Sequence, residues 1–286
     1  MTRERSGGIP TAPALAKAVA SGRFVLTTSV GTLPKADEPL LRSRLGRLRG
    51  AFEYIKFGDN PRARARVSPW AAAAVAISEG IEPIVHVGCR DRNRLALEAD
   101  LLGGRLLGVP NVLCLRGDEI EISDQPGTIA VHDLDVVDVV RLASRDHGFF
   151  VLAACDPAVP ASDAHIARLR EKLAAGAALL ETQPVFDASG FATWLERVRD
   201  AGVEAPVLVD VSVVATPREA DLLERIPYVH PPIGLAERLR RDRRAGIALA
   251  AEIVAQVRDL PGVAGCHLSS LGGDPAPALA VRDHVR

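Results

Sequence analysis

The sequence has no surplus of either charge. Its 35 basic and 36 acidic residues leave a net charge of −1, so no global field draws the chain to nucleic acid or to an anionic membrane surface. It also lacks any apolar run approaching the ~20 residues that span a bilayer. Its opening, MTRERSGGIPTAPALAKAVASGRF, has no apolar stretch of the signal-peptide kind. Cysteines are few: Cys89, Cys114, Cys155 and Cys266 are scattered, with no C-x-x-C pair. That spacing argues against a disulfide framework and against a metal site, and a reduced, cytoplasmic protein fits it best. No strand-like run leads into the G-x-G-x-x-G turn of a dinucleotide-binding fold.

What is present is a steady alternation. Short apolar or β-branched runs occur at residues 24–30 (FVLTTSV), 52–57 (FEYIKF), 83–87 (PIVHV), 111–115 (NVLCL), 149–153 (FFVLA), 178–183 (ALLETQ), 207–213 (VLVDVSV) and 263–268 (VAGCHL). Between them apolar residues fall at helical spacing: Leu97, Leu101 and Leu102; Val136, Val139, Val140 and Leu142; Ile166, Leu169 and Leu173; Phe191, Trp194, Leu195 and Val198. Ser162 is expected to cap the third of these helices. Gly80, Gly108, Gly148, Gly176 and Gly202 are placed to stop helices. Strands alternating with helices predict parallel pairing through right-handed crossovers. About eight such units predict a single (β/α)8 TIM barrel, a fold of about 250 residues, over residues 21–286. Residues 1–20 are expected to form a short N-terminal extension with a helix around Ala14–Ala20.

In a barrel the C-terminal strand ends share one mouth, where ligands are held. These ends carry Ser29 and Thr32; Asp59 and Asn60; His86, Cys89, Arg90 and Asp91; Arg116, Gly117, Asp118 and Glu119; Cys155 and Asp156; Glu181, Thr182 and Gln183; Asp210 and Ser212; His267 and Ser269. Several have a plain structural reading. Asp59-Asn60-Pro61 suits a turn and helix cap, His86 inside an apolar strand suits a satisfied core histidine, and RLRRDRR at 238–244 suits a solvated helix face. Gln183 is harder to explain as structure, because a neutral amide at a strand end can bridge donors and acceptors of a planar heterocycle.

Three stretches, DNPRARARVSP (59–69), VGCRDRNRLALEADLLGGRLLGVPNVLCLRGD (87–118) and EKLAAGAALLETQPVFD (171–187), resemble the methylenetetrahydrofolate reductase family. The resemblance covers most of residues 23–270. It implies a barrel holding FAD at the strand C-termini, NAD(P)H as hydride donor and a reduced folate as substrate in one-carbon metabolism. It places Arg116, Gly117 and Asp118 in a loop touching the flavin. There the Asp118 carboxylate would stabilise a cationic iminium form of the substrate. It sets His86 beside the cofactor, Lys172 near the flavin phosphates, Gln183 against the pterin, and Glu219 at a substrate-binding position.

The chain also departs from the family. The first strand normally reads F-V-V-T-x-E-x-x-P-P and here reads FVLTTSVGTL, so the catalytic glutamate falls on Ser29. A serine hydroxyl cannot serve as that general acid. In the seventh strand the usual G-I-L-P becomes Asp210-Val211-Ser212-Val213, and Asp210 and Glu219 are the two acids that could compensate for the missing glutamate. The expected activity is reduction of methylenetetrahydrofolate, weakened by the serine. A folate-binding enzyme of the same fold that passes on a one-carbon unit without reduction stays open, as does a non-catalytic partner subunit. No nucleic-acid or membrane partner is expected, and self-association of the chain is left open.

Overall fold

The computed structural model describes residues 12–226 and 229–286. Eight strands close into one barrel in sequence order, every neighbouring pair parallel and β8 returning to β1. They are β1 (Val25–Ser29), β2 (Tyr54–Phe57), β3 (Glu82–Gly88), β4 (Asn111–Leu115), β5 (Phe150–Cys155), β6 (Leu179–Thr182), β7 (Val207–Ser212) and β8 (Val263–Ser269). The barrel predicted from the alternation is therefore the fold, and each strand overlaps its apolar run. The helices are α1 (Ala14–Ala20), α2 (Glu38–Leu48), α3 (Pro69–Ser78), α4 (Arg94–Leu107), α5 (Val136–Arg141), α6 (Asp163–Ala175), α7 (Ala188–Asp200), α8 (Pro217–Leu223), α9 (Leu235–Arg241), α10 (Ala245–Val257) and α11 (Ala276–Val285). Among the described residues no helix is long and apolar enough to cross a membrane.

Local chemistry accounts for the helix ends. The Ser162 side chain accepts the backbone N–H of His165 at the start of α6, and Gly108 and Gly176 end α4 and α6 in the left-handed conformation open to glycine. The α4 stripe is narrower than its leucines suggest. Leu97 and Leu101 are buried, whereas Leu102 faces outward, being a further ~100° round the helix.

The strands divide their side chains by the period of two. Outward residues such as Ile55, Val85, Val112, Val151, Leu180, Val209 and Cys266 pack with the helices in the main core. Inward residues at the N-terminal end form a separate plug: Val25, Tyr54, Ile84, Leu113, Leu152, Leu179 and Leu208, one from each of β1 to β7. Helix α1 closes this end by adding Leu15 and Ala18 to the plug. Its first amides would otherwise lack partners. Ala14 and Leu15 donate them to the Glu82 carboxylate at 2.9 and 3.0 Å, and Asn111 Nδ2 holds the same carboxylate at 2.8 Å. Residues 1–11 of the N-terminal extension lie outside the described residues.

Since Leu15 is fully buried in this plug, Leu15→Ala should cost about 2–5 kcal/mol through lost burial and a residual cavity. Urea unfolding of the variant measures it, and a loss below about 1 kcal/mol would show that α1 does not seal the barrel.

Candidate active site

One turn of the pleat above the apolar plug, the lumen becomes polar. Thr27, Lys56, His86, Glu181, Asp210 and His267 are the inward residues two positions along from Val25, Tyr54, Ile84, Leu179, Leu208 and Gly265. Lys56 on β2 and Glu181 on β6 belong to non-adjacent strands, yet Lys56 Nζ contacts Glu181 Oε1 as an ion pair across the lumen. Their side chains are 0% and 6% exposed. That is the sole polar contact of the ammonium among the described residues, and Glu181 Oε2 has no hydrogen-bond partner. Burial pulls the Lys56 pKa down and pushes that of Glu181 up, and each is drawn back toward its charged form by the other.

Thr27 Oγ1 lies 2.9 Å from His267 Nδ1. Burial, and then the Lys56 charge, hold both histidines neutral: His86 is lowered to about 3 and His267 lies well below its ordinary value. His86 Nε2 is buried without a hydrogen-bond partner. Asp210 is only partly buried and takes part in no ion pair among the described residues. Ser269 Oγ donates to its Oδ1 at 2.6 Å, and Ser212 Oγ lies 3.0 Å from Ser269 Oγ. Desolvation raises the Asp210 pKa to about 7; the Ser269 hydrogen bond and Lys56 oppose the rise, and Glu181 adds to it.

Above this floor the loops after β2, β3 and β4 are tied together. Asn60, Arg62 and Ala63 all adopt positive φ, at 42°, 58° and 52°, a conformation that is costly for side-chain-bearing residues. The loop is held there from outside itself. The Asp118 carboxylate accepts the Arg62 amide, Ser123 Oγ donates to the Ala63 carbonyl at 2.7 Å, and Arg90 donates to the Asn60 carbonyl at 3.2 Å. Arg90, 6% exposed, also donates to the Asp118 carbonyl at 2.8 Å and to the Asp91 carboxylate. Gly117 has φ 93° with Arg90 packed on it, so that an added Cβ would lie 3.2 Å from Arg90 Cβ. Asp59 is not merely a turn residue. Its carboxylate takes a two-pronged hydrogen bond from Arg92 at 2.6 and 2.9 Å and accepts the Gly88 amide at 3.0 Å.

The candidates named from sequence fall into three groups. Ser29, His86 and Asp210 belong to the lumen, with Ser29 in register beside Lys56, and Gln183 follows β6 directly, its backbone N–H donating to the Cys155 carbonyl at 2.8 Å. Arg116, Gly117 and Asp118 line a mouth cleft with Cys89, Arg90 and His132, where Arg116 forms an exposed pair with Glu119 at 2.7 Å. Two residues are turned to structural partners. Lys172 Nζ donates to the Ala154 carbonyl at 2.6 Å, laying the lysine against the β5 backbone. The Glu219 carboxylate accepts the amides of Ala215 and Thr216 at 2.7 and 3.1 Å in the capping box of α8. The one sequence signal for Lys56 was a lysine inside the apolar run FEYIKF. Glu181 stood among the strand-end candidates without an assigned task. The four cysteines are all buried and unpaired, and among the described residues no group of His, Cys, Asp and Glu is arranged to hold a metal ion.

Residues 16–281 match the family profile of methylenetetrahydrofolate reductase, and the chain belongs to that family. Methylenetetrahydrofolate reductase 2 of Saccharomyces cerevisiae is 23% identical over 219 residues, covering 70% of this chain and 36% of the yeast protein. The 5,10-methylenetetrahydrofolate reductase of Salmonella typhimurium is 24% identical over 190 residues, covering 66% of this chain and 63% of that one. The chain thus matches about a third of the yeast relative and under two thirds of the bacterial one. Among solved structures, an uncharacterised Clostridium thermocellum protein that binds two copies of 5-methyl-5,6,7,8-tetrahydrofolic acid superposes with a TM-score of 0.73 at 10% identity, covering 96% of this chain and 98% of that one. That likeness shows the shared barrel.

The Asp59–Arg92 pair yields a stability test of the mouth. The Asp59 side chain is 2% exposed, so Arg92→Leu leaves a buried carboxylate without its cation and should cost about 3–5 kcal/mol. Asp59→Asn/Arg92→Leu should recover most of that loss. Chemical denaturation of the single and double variants measures both, and equal losses would mean that the pair does not organise the loops.

Proposed function

We propose that the chain is a flavin-dependent reductase of a methylene-bridged reduced folate, in which Asp210 has taken over the proton delivery that Ser29 cannot perform. The observation that carries this reading is the Asp210 carboxyl. It is partly open at the polar floor of the mouth, bonded by Ser269, and poised near neutrality at about 7, where a general acid works best. The family membership and the folate-binding barrel of similar fold support the substrate class.

The fit of the residues to FAD can be judged from two features. His86 Nε2 is an orphaned buried ring nitrogen, and a polar planar ligand would satisfy it. The cleft beside Arg116–Asp118 encloses only about 40 Å³, far below the ~300–1,000 Å³ of small-molecule sites, so a ring system would lie across this rim and not within it. His86 on β3, and Gly117 and Asp118 at the rim, are the residues that would hold the flavin ring. The phosphates would fall to Arg116, because Lys172 is engaged by Ala154. When bound, the flavin supplies hydride drawn from NAD(P)H.

The protein's own part is acid catalysis and charge stabilisation. Gln183 orients the pterin through its amide. Asp210 gives its proton to the bridging nitrogen as the carbon–nitrogen bond breaks, the bonding pair going to that nitrogen. The remaining iminium cation is stabilised by the Asp118 carboxylate until hydride adds at its carbon.

Two measurements test this. Micromolar FAD should lose fluorescence on titration with the purified protein, and unaltered fluorescence would remove the flavin from the account. Oxidation of NADH or NADPH with FAD and the folate should fall as pH rises through about 7, because the acid is then deprotonated. Asp210→Asn should lower turnover by roughly 10²–10⁴-fold, and Ser29→Glu in that background should restore at least about tenfold. Undiminished turnover in Asp210→Asn would place the acid elsewhere, and folate binding with no turnover in the unaltered protein would favour non-reductive one-carbon transfer.

A further inference from the structure

We propose that Glu181 is a positioning residue that keeps the catalytic proton on Asp210 by neutralising Lys56. The inference rests on the reading of Asp210 as the acid and adds what makes it one. Lysine is scarce in this chain, where Lys17, Lys35, Lys56 and Lys172 stand among many arginines. One of them is nevertheless sealed in the lumen. Two carboxyl groups share the lumen with it: Glu181 on β6, in contact, and Asp210, the inward residue of the adjacent β7 two positions past Glu181's register partner Leu208.

Charge balance then decides where the proton sits. An unpaired buried charge costs several kcal/mol, and one ammonium neutralises one carboxylate. Glu181 holds that contact, so the second acid is left to take a proton. The remaining groups facing Asp210 cannot replace the missing cation. His267, its register partner on β8, is neutral, as is His86 on β3. Ser269, Ser212 and Thr182 bring only hydroxyls. The arrangement also separates the two acids by access. Glu181 is 5% exposed and faces the lysine, whereas Asp210 is the more open of the two and is linked through Ser269 to Ser212 at the end of its own strand.

The consequence is specific. Removing the Glu181 charge while keeping Lys56 turns the ammonium onto Asp210, and a carboxyl facing a single cation loses its proton about 1–3 pH units lower. Removing both charges takes the cation away again. The readout is the carboxylic-acid C=O stretch of Asp210 in difference infrared spectra, assigned as the band lost in Asp210→Asn and followed across pH. In Glu181→Gln its midpoint should fall by at least one unit, with about a tenfold loss of turnover above pH 7 and recovery in acid. In Lys56→Met/Glu181→Gln both the midpoint and the pH profile should return to those of the unaltered protein, which a merely structural role for Glu181 would not produce. An unshifted midpoint in Glu181→Gln, a midpoint that stays low in the double variant, or no band lost in Asp210→Asn would each overturn the proposal. If the infrared midpoints move as expected while Asp210→Asn turns over normally, the charge arrangement stands and the catalytic role of Asp210 falls.

Discussion

The lumen of this barrel is organised around one ion pair, Lys56 with Glu181, drawn from strands that do not touch each other. TIM-barrel interiors are ordinarily filled by layers of branched apolar side chains, and the N-terminal end here follows that pattern from Val25 to Leu208. One pleat higher, the pair takes the place of an apolar layer. A buried pair of this kind is weak evidence for stability, because desolvation offsets most of the Coulomb gain and apolar side chains would pack as well. Its influence lies in what it imposes on neighbours. Burial is the larger cause that holds His86 and His267 neutral, and the Lys56 ammonium adds to it; burial likewise raises Asp210 to about 7, with Glu181 adding to the rise and Lys56 opposing it.

The mouth has its own scaffold. Asp59, Arg90, Arg92 and Asp118 join the loops after β2, β3 and β4, and they hold the Asn60–Ala63 turn in a conformation it would not keep alone. Backbone strain of this kind persists where surrounding contacts over-determine it, commonly beside functional sites. The same contacts fix the Arg116–Asp118 loop. In this way the apolar run Asn111–Leu115 ends on charged residues that are part of an ordered rim and not a loose turn.

Much of this was legible in the sequence, for reasons that mark where legibility ends. Strand and helix periods, the cap at Ser162 and the glycine stops are local signals, and they carried the eight-unit barrel. The plug role of α1 was hidden, since its N-terminal cap is Glu82, a residue far away in sequence. Lys56 was hidden for a similar reason. Period two sets it on the same face as Tyr54, but only barrel closure brings it to Glu181. The roles given to Lys172 and Glu219 came from resemblance. It matches positions along the chain but does not say whether a side chain is already occupied, and here both have backbone partners. Asp59 shows the converse, a turn residue by pattern whose carboxylate is the anchor of the mouth.

The central claim is that a reduced folate meets the proton of Asp210 at the barrel floor. A crystal structure of the protein with 5-methyltetrahydrofolate bound tests it most directly. The account predicts the Asp210 carboxyl within hydrogen-bond reach, about 2.6–3.2 Å or through one water, of the nitrogen released from the methylene bridge. A folate seated with that nitrogen away from β7, and another acid in reach of it, would contradict the account.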